Sequence, residues 1–193
     1  MQEYRNGNIL EYIDRVGASY LQRTRWLLHV ATALQYLHGA DIIHGNVHVN
    51  NILISDDGGA RLADAAIYTT IIRHFVPSDI LWKIRFPDSL SCKSAEEILA
   101  EESRPTPTLY RDIFALAVTI WTVYKGKEPF QMYDQTPQTV QQVGSYGHRN
   151  LGAVEGMSDG LWRLLSIVMK QETAPENAPS LGDIISELRE LVN

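Results

Sequence analysis

Apolar positions recur along the chain mainly at helical spacing, and helices are predicted near residues 8–16, 19–38, 96–101, 108–125, 136–144, 158–170 and 180–192. In the second of these, Leu21, Leu27, Leu28, Ala31, Leu34 and Leu37 keep close to that spacing, and His38-Gly39 supplies a glycine stop. The stretch from Arg111 to Trp121 is apolar on all sides, the pattern of a helix buried in a core. Gly126 and Pro129 end it, a C-cap glycine with a proline just beyond. Asn51 to Ser55 and Ala60 to Ala63 read as two short strands joined by Asp56-Asp57-Gly58-Gly59, an Asp-Gly hairpin turn. The fold class predicted is therefore mainly α with one short β-hairpin. A single domain over residues 1–193 is expected, since a chain of 193 residues with 45% hydrophobic content can fill one core.

Candidate chemistry gathers on either side of the hairpin. The run Ile43-His44-Gly45-Asn46-Val47-His48-Val49-Asn50-Asn51-Ile52-Leu53, followed by Leu62-Ala63-Asp64-Ala65-Ala66, resembles the catalytic and metal-binding loops of the protein kinase family. In that family the loops read H-R-D-L-x-x-x-N and D-F-G; the first Asp receives the substrate hydroxyl proton, and the later Asn and Asp hold magnesium. Here the resemblance puts Asn46 at the base position. A carboxylate accepts a proton, whereas a carboxamide is essentially non-basic and only orients a hydroxyl by hydrogen bonding. Gly45 stands where the family has Arg, so no guanidinium is present there to pair with an activation-segment phosphate. Asn51 and Asp64 remain as oxygen ligands of the kind magnesium prefers, half a metal site that without a nucleotide binds the ion weakly. Both also have a structural reading, Asn51 tying the loop backbone together and Asp64 turning the chain after a strand. His44 is read as a packed core histidine and His48 as an exposed loop residue.

The resemblance extends over nearly the whole chain and implies the large, C-terminal lobe of a kinase. Residues 1–8 resemble the hinge, residues 43–53 a degenerate catalytic loop, residues 62–66 a degenerate D-F-G, residues 64–97 the activation segment and residues 98–193 the helical subdomain. No G-x-G-x-x-G and no V-A-I-K run occurs, so the small N-terminal lobe with its phosphate clamp is expected to be absent. Ser94-Ala95-Glu96-Glu97 resembles A-P-E, yet the R-P pattern that holds its arginine partner reads Ala178-Pro179, which predicts a re-paired or exposed Glu97. Asp112 matches the aspartate that anchors the catalytic loop. Ser158 to Leu165 and the H-G spelling are closest in wording to the tyrosine-kinase-like group.

Composition narrows the partners. A net charge of −6 argues against nucleic-acid backbones and anionic membranes, both of which reward clustered Lys and Arg. No apolar run is long enough for a membrane span. The lone Cys92 excludes an internal disulfide and, with no signal-like N-terminus, points to the cytoplasm or nucleus.

The function these readings predict is a catalytically inactive pseudokinase lobe that regulates by binding protein. A partner chain or a second copy is expected to cover the face left open by the missing lobe, with Leu10, Ile52 and Leu53 exposed there. Phe75, Trp82 and Phe86 either pack onto the lobe or form a recognition patch, with Trp82 a candidate contact. No cofactor is expected beyond weak magnesium or ATP binding. The rival reading is a residual phosphotransferase or nucleotide hydrolase completed by another chain or lobe.

Overall fold

The computed structural model describes residues 4–65, 92, 108–129, 148–170 and 177–193. Among these are five α-helices: α1 (Ile9–Val16), α2 (Tyr20–Gly39), α3 (Leu109–Lys125), α4 (Asp159–Lys170) and α5 (Leu181–Glu190). A two-stranded antiparallel sheet pairs β1 (Ile52–Ile54) with β2 (Ala60–Leu62), placing Ile52 opposite Leu62 and Ile54 opposite Ala60. The described residues are thus mainly helical with one hairpin. The helices expected at 96–101 and 136–144, together with Trp82, Glu97 and nearly all of the 64–97 segment, lie outside the described residues.

Each described helix is punctuated by its own sequence. Asn8 caps α1 by accepting from the Leu10 and Glu11 N–H groups, while the Glu11 carboxylate returns a bond to the Asn8 N–H. Ser180 and Asp183 form the same reciprocal arrangement at α5. Thr108 caps α3 at one end, and at the other Gly126 sits at φ 77°, a left-handed conformation glycine reaches without strain from a Cβ.

The core is built around α3. Every residue from Phe114 to Tyr124 is buried, so the all-round apolar pattern of this helix has a direct structural counterpart. Against it pack α2, through Trp26, Leu27, Val30, Ala31 and Leu34, and α4, through Leu161, Leu165 and Val168. Helix α5 closes the layer on α2 and α4 with Ile184, Ile185 and Leu188. Full burial of such side chains contributes about 1.5–3 kcal/mol apiece before chain entropy is offset. The stripe on α2 differs from the sequence reading at its start: Leu21 is exposed, and Thr24 and Trp26 take the inward positions. Thr24 is inside because its hydroxyl bonds the buried Tyr124 hydroxyl at 2.6 Å, and Trp26 because its indole N–H reaches the Gly58 carbonyl at 2.8 Å in the hairpin turn.

Ile52, expected on an open face, is fully buried, and Leu10 and Leu53 are half-buried. Two causes account for the correction. The period of two along β1 sends Ile52 and Ile54 inward together. The chain leading into α1 then lies along the outer edge of β1, with Ile54 N–H donating to the Gly7 carbonyl at 3.1 Å and Asn8 bridging Leu53.

Arg23 joins helix ends that are distant in sequence. Its Nε donates to the Ala18 carbonyl, and its Nη1 donates to the carbonyls of Val123 at 3.2 Å and Tyr124 at 3.0 Å, satisfying acceptors in the last turn of α3. Arg23→Ala is expected to lower unfolding stability by about 2 kcal/mol, the loss of charge-assisted bonds to partly buried carbonyls. Urea unfolding should show the change as a lower midpoint at unchanged slope.

Candidate functional site

The 43–53 loop runs from the end of α2 to β1 and is held from below by a residue of the first turn of α3. Asp112, 2% exposed, accepts the His44 N–H at Oδ2 (2.7 Å) and the Gly45 N–H at Oδ1 (2.8 Å). His38, at the end of α2, brings its Nε2 to the same Oδ2 at 3.0 Å. A buried carboxylate thus has donors on both oxygens, the condition under which its charge is tolerated inside a protein. Its place in the first helical turn, where the helix dipole favours negative charge, adds to the effect.

His44 is fully buried and bridges the two loops. Its Nδ1 accepts the Asn46 N–H at 3.2 Å, so in the neutral ring Nε2 carries the hydrogen and donates to the Ala63 carbonyl at 3.0 Å. Burial pushes the imidazole pKa below its ordinary value, outweighing the Asp112 charge that acts to raise it. His48, expected on the surface, is 4% exposed. Its Nδ1 accepts the Asn50 N–H at 3.2 Å and caps the single turn at Val49–Asn51, which draws the ring inward.

The remaining candidates fall around this frame. Asn51 is buried; its Nδ2 donates to the Asn46 carbonyl at 2.8 Å, and its own carbonyl accepts the Ala63 N–H at 2.8 Å. Asn46 is half-buried, and among the described residues its carboxamide makes no hydrogen bond. Asp64 is exposed, sits at φ 59°, and lies near enough to His44 to act on its charge. Gly45 sits at φ 76°, a left-handed conformation that residues with a Cβ rarely adopt.

The fold therefore brings His44, Gly45, Asn46, Asn51 and Asp112 into one bonded unit and sets Asp64 at its rim. Sequence reasoning missed His38 as a member of it. Its His-Gly position reads as an ordinary helix stop, and the residue it bonds lies 74 positions away. Asn51 and Asp64 present oxygens that suit magnesium, yet one arm of the Asn51 amide is already engaged within the loop. As arranged, the unit has bases enough to hold a loop but no carboxylate at residue 46 to take a proton from a hydroxyl.

The model of the protein tyrosine and serine/threonine kinase family matches residues 1–188, and the chain belongs to that family. Human receptor-interacting serine/threonine-protein kinase 1 is 23% identical over 198 aligned residues, which cover 98% of this chain and 29% of that protein. A probable inactive receptor kinase of Arabidopsis thaliana is 32% identical over 103 residues, 53% of this chain and 9% of its own length. The 3-phosphoinositide-dependent protein kinase 1 of Rattus norvegicus is 27% identical over 138 residues, 66% of this chain and 22% of its own. The chain spans less than a third of the length of each of these three relatives. No described helix is long and apolar enough to cross a membrane.

Two outcomes follow from the loop frame. Asp112→Ala strands the His44 and Gly45 N–H groups, and is expected to cost about 3–5 kcal/mol in chemical denaturation. The His44 contribution depends on pH with a definite sign. A ring whose pKa is lowered by folding binds its proton more readily when unfolded, so this share of stability is complete above the ordinary value of 6.5 and is lost as pH falls through the lower folded value. Unfolding midpoints measured from neutral to mildly acid pH should decline, and His44→Gln should flatten the part of that decline due to this ring.

Proposed function

We propose that the chain is the large lobe of a kinase fold that has given up phosphoryl transfer and serves as a protein-binding, regulatory module. The observation that carries this reading is the contrast within one loop. Asp112, His38 and His44 hold the backbone of residues 44–46 in place with short hydrogen bonds, while the side chain displayed at residue 46 is a carboxamide. A loop kept in shape without its base retains a surface and loses a reaction, since positioning and proton acceptance are separate contributions to rate.

Two further facts support it. Gly45 leaves the loop without the guanidinium that a phosphorylated activation segment would pair with. One relative, 32% identical over 103 residues, is named a probable inactive receptor kinase, which supports the same reading for a related sequence. The partner is a protein: a net charge of −6 disfavours polyanions.

Magnesium–ATP at millimolar concentration is expected to leave the melting temperature unchanged. A ligand at a hundred times its dissociation constant would add about 2.7 kcal/mol, a rise of several degrees for a domain of this size. In parallel, labelled γ-phosphate should appear neither on the chain nor on a generic protein substrate above the background without protein. A clear upward thermal shift together with phosphate transfer that Asn46→Ala abolishes would overturn the reading and favour the residual phosphotransferase.

A further inference from the structure

Away from the loop unit, an open groove of about 800 Å³ runs beside α2. Leu28, Thr32 and Tyr36, on successive turns of α2, form one wall; Arg61 and Leu62 of β2 belong to the other, and Arg189 from the last turn of α5 also lines the space. The α2 side extends from Leu28 to Leu37, roughly 13 Å at the helical rise. That is the reach of about four residues of extended chain.

Three observations define what the groove accepts. Its lining is largely apolar, and Tyr36 is 81% exposed, far more than a side chain of its size usually is in a packed face. No carboxylate among the described residues lines it, whereas two guanidinium groups do, on a chain whose net charge is −6. Among the described residues Arg61 is engaged only by the exposed Asp57, and Arg189 has no ion pair or side-chain hydrogen bond. The β2 strand adds a main-chain feature. Ser55 N–H bonds the Gly59 carbonyl and Ala63 N–H bonds the Asn51 carbonyl, so the alternation of an antiparallel pair turns the Leu62 N–H and C=O away from β1. Neither has a hydrogen-bond partner among the described residues.

We propose that this groove docks a short, extended segment of a partner protein in which acidic side chains alternate with apolar ones. The apolar side chains lie against Leu28, Leu37 and Leu62, carboxylates meet Arg189 and Arg61, and the Leu62 N–H and C=O, on an edge of β2 whose Ala60 N–H is already bonded to His29 of α2, offer one further main-chain donor and acceptor. Charge complementarity on a net-acidic protein sets the sign of the partner, and the length of the groove sets its extended form. This inference rests on the reading of the chain as a binding module; it is tested with separate ligands and variants from the nucleotide experiment, so either can fail alone.

The test is fluorescence anisotropy on the full chain with a short fluorescein-labelled peptide of alternating Glu and Leu, against its counterpart with Lys in place of Glu. The acidic peptide should bind, more weakly as salt rises, and the lysine peptide should not. Arg189→Glu should weaken binding by about tenfold or more, since attraction becomes like-charge repulsion. Arg163→Glu makes the same charge change at an exposed position of α4 that does not line the groove, and should leave affinity within about twofold. Tyr36→Ser provides an independent reading at the groove wall, with an expected loss of several-fold, should Arg189→Glu fail to fold. No binding of the acidic peptide, equal binding of both peptides, or equal loss in Arg189→Glu and Arg163→Glu would overturn the proposal.

Discussion

The placement of the loop centre depends on one buried carboxylate. Asp112 projects from the first turn of the most buried described helix and gathers two backbone N–H groups of the 43–53 loop and a histidine at the end of α2, 67 to 74 positions away in sequence. Burial of an ion costs several kcal/mol unless its lone pairs are used, so the arrangement is nearly all-or-none. With all three donors present both carboxylate oxygens are used; with one missing, the buried charge is only partly matched. The apolar surroundings supplied by α3, which favour burial in general, here also raise the stakes of a single polar contact.

From that point order spreads outward by short bonds. His44 carries it from the loop to Ala63, Asn51 carries it back to Asn46, and the Trp26 indole fixes the hairpin turn to α2. Each link uses a side chain to satisfy a backbone group that no helix or sheet provides for. The segment before β1 is accordingly shaped by side-chain hydrogen bonds more than by secondary structure, and a carboxamide at residue 46 can be presented with a fixed backbone.

Features set by local pattern were legible in the sequence. The all-round apolar stretch of α3 and the Asp-Gly turn depend on neighbours a few positions apart, where periodicity and turn chemistry act directly. The misreadings have a common origin in contacts made at a distance. The hairpin itself is readable, but which of its faces is covered is not, because the Gly7–Asn8 segment that lies beside Ile54 and Leu53 comes from more than forty positions away. His48 reads as a polar loop residue until the turn it caps is formed, and His38 reads as punctuation until α3 brings Asp112 against it. A single chain in isolation carries no signal for such pairings. For the motif positions the family resemblance supplied the roles, and the residues themselves supplied the chemistry that departs from them.

Gly45 limits what the loop can carry as well as how it is shaped. At φ 76° its backbone occupies a region where a side chain costs about 1–2 kcal/mol. Any residue carrying a Cβ, an arginine included, would meet that strain at this position as the loop now stands. Backbone geometry and residue choice are coupled here: the identity of one position is decided by a torsion angle as much as by any contact its side chain could make.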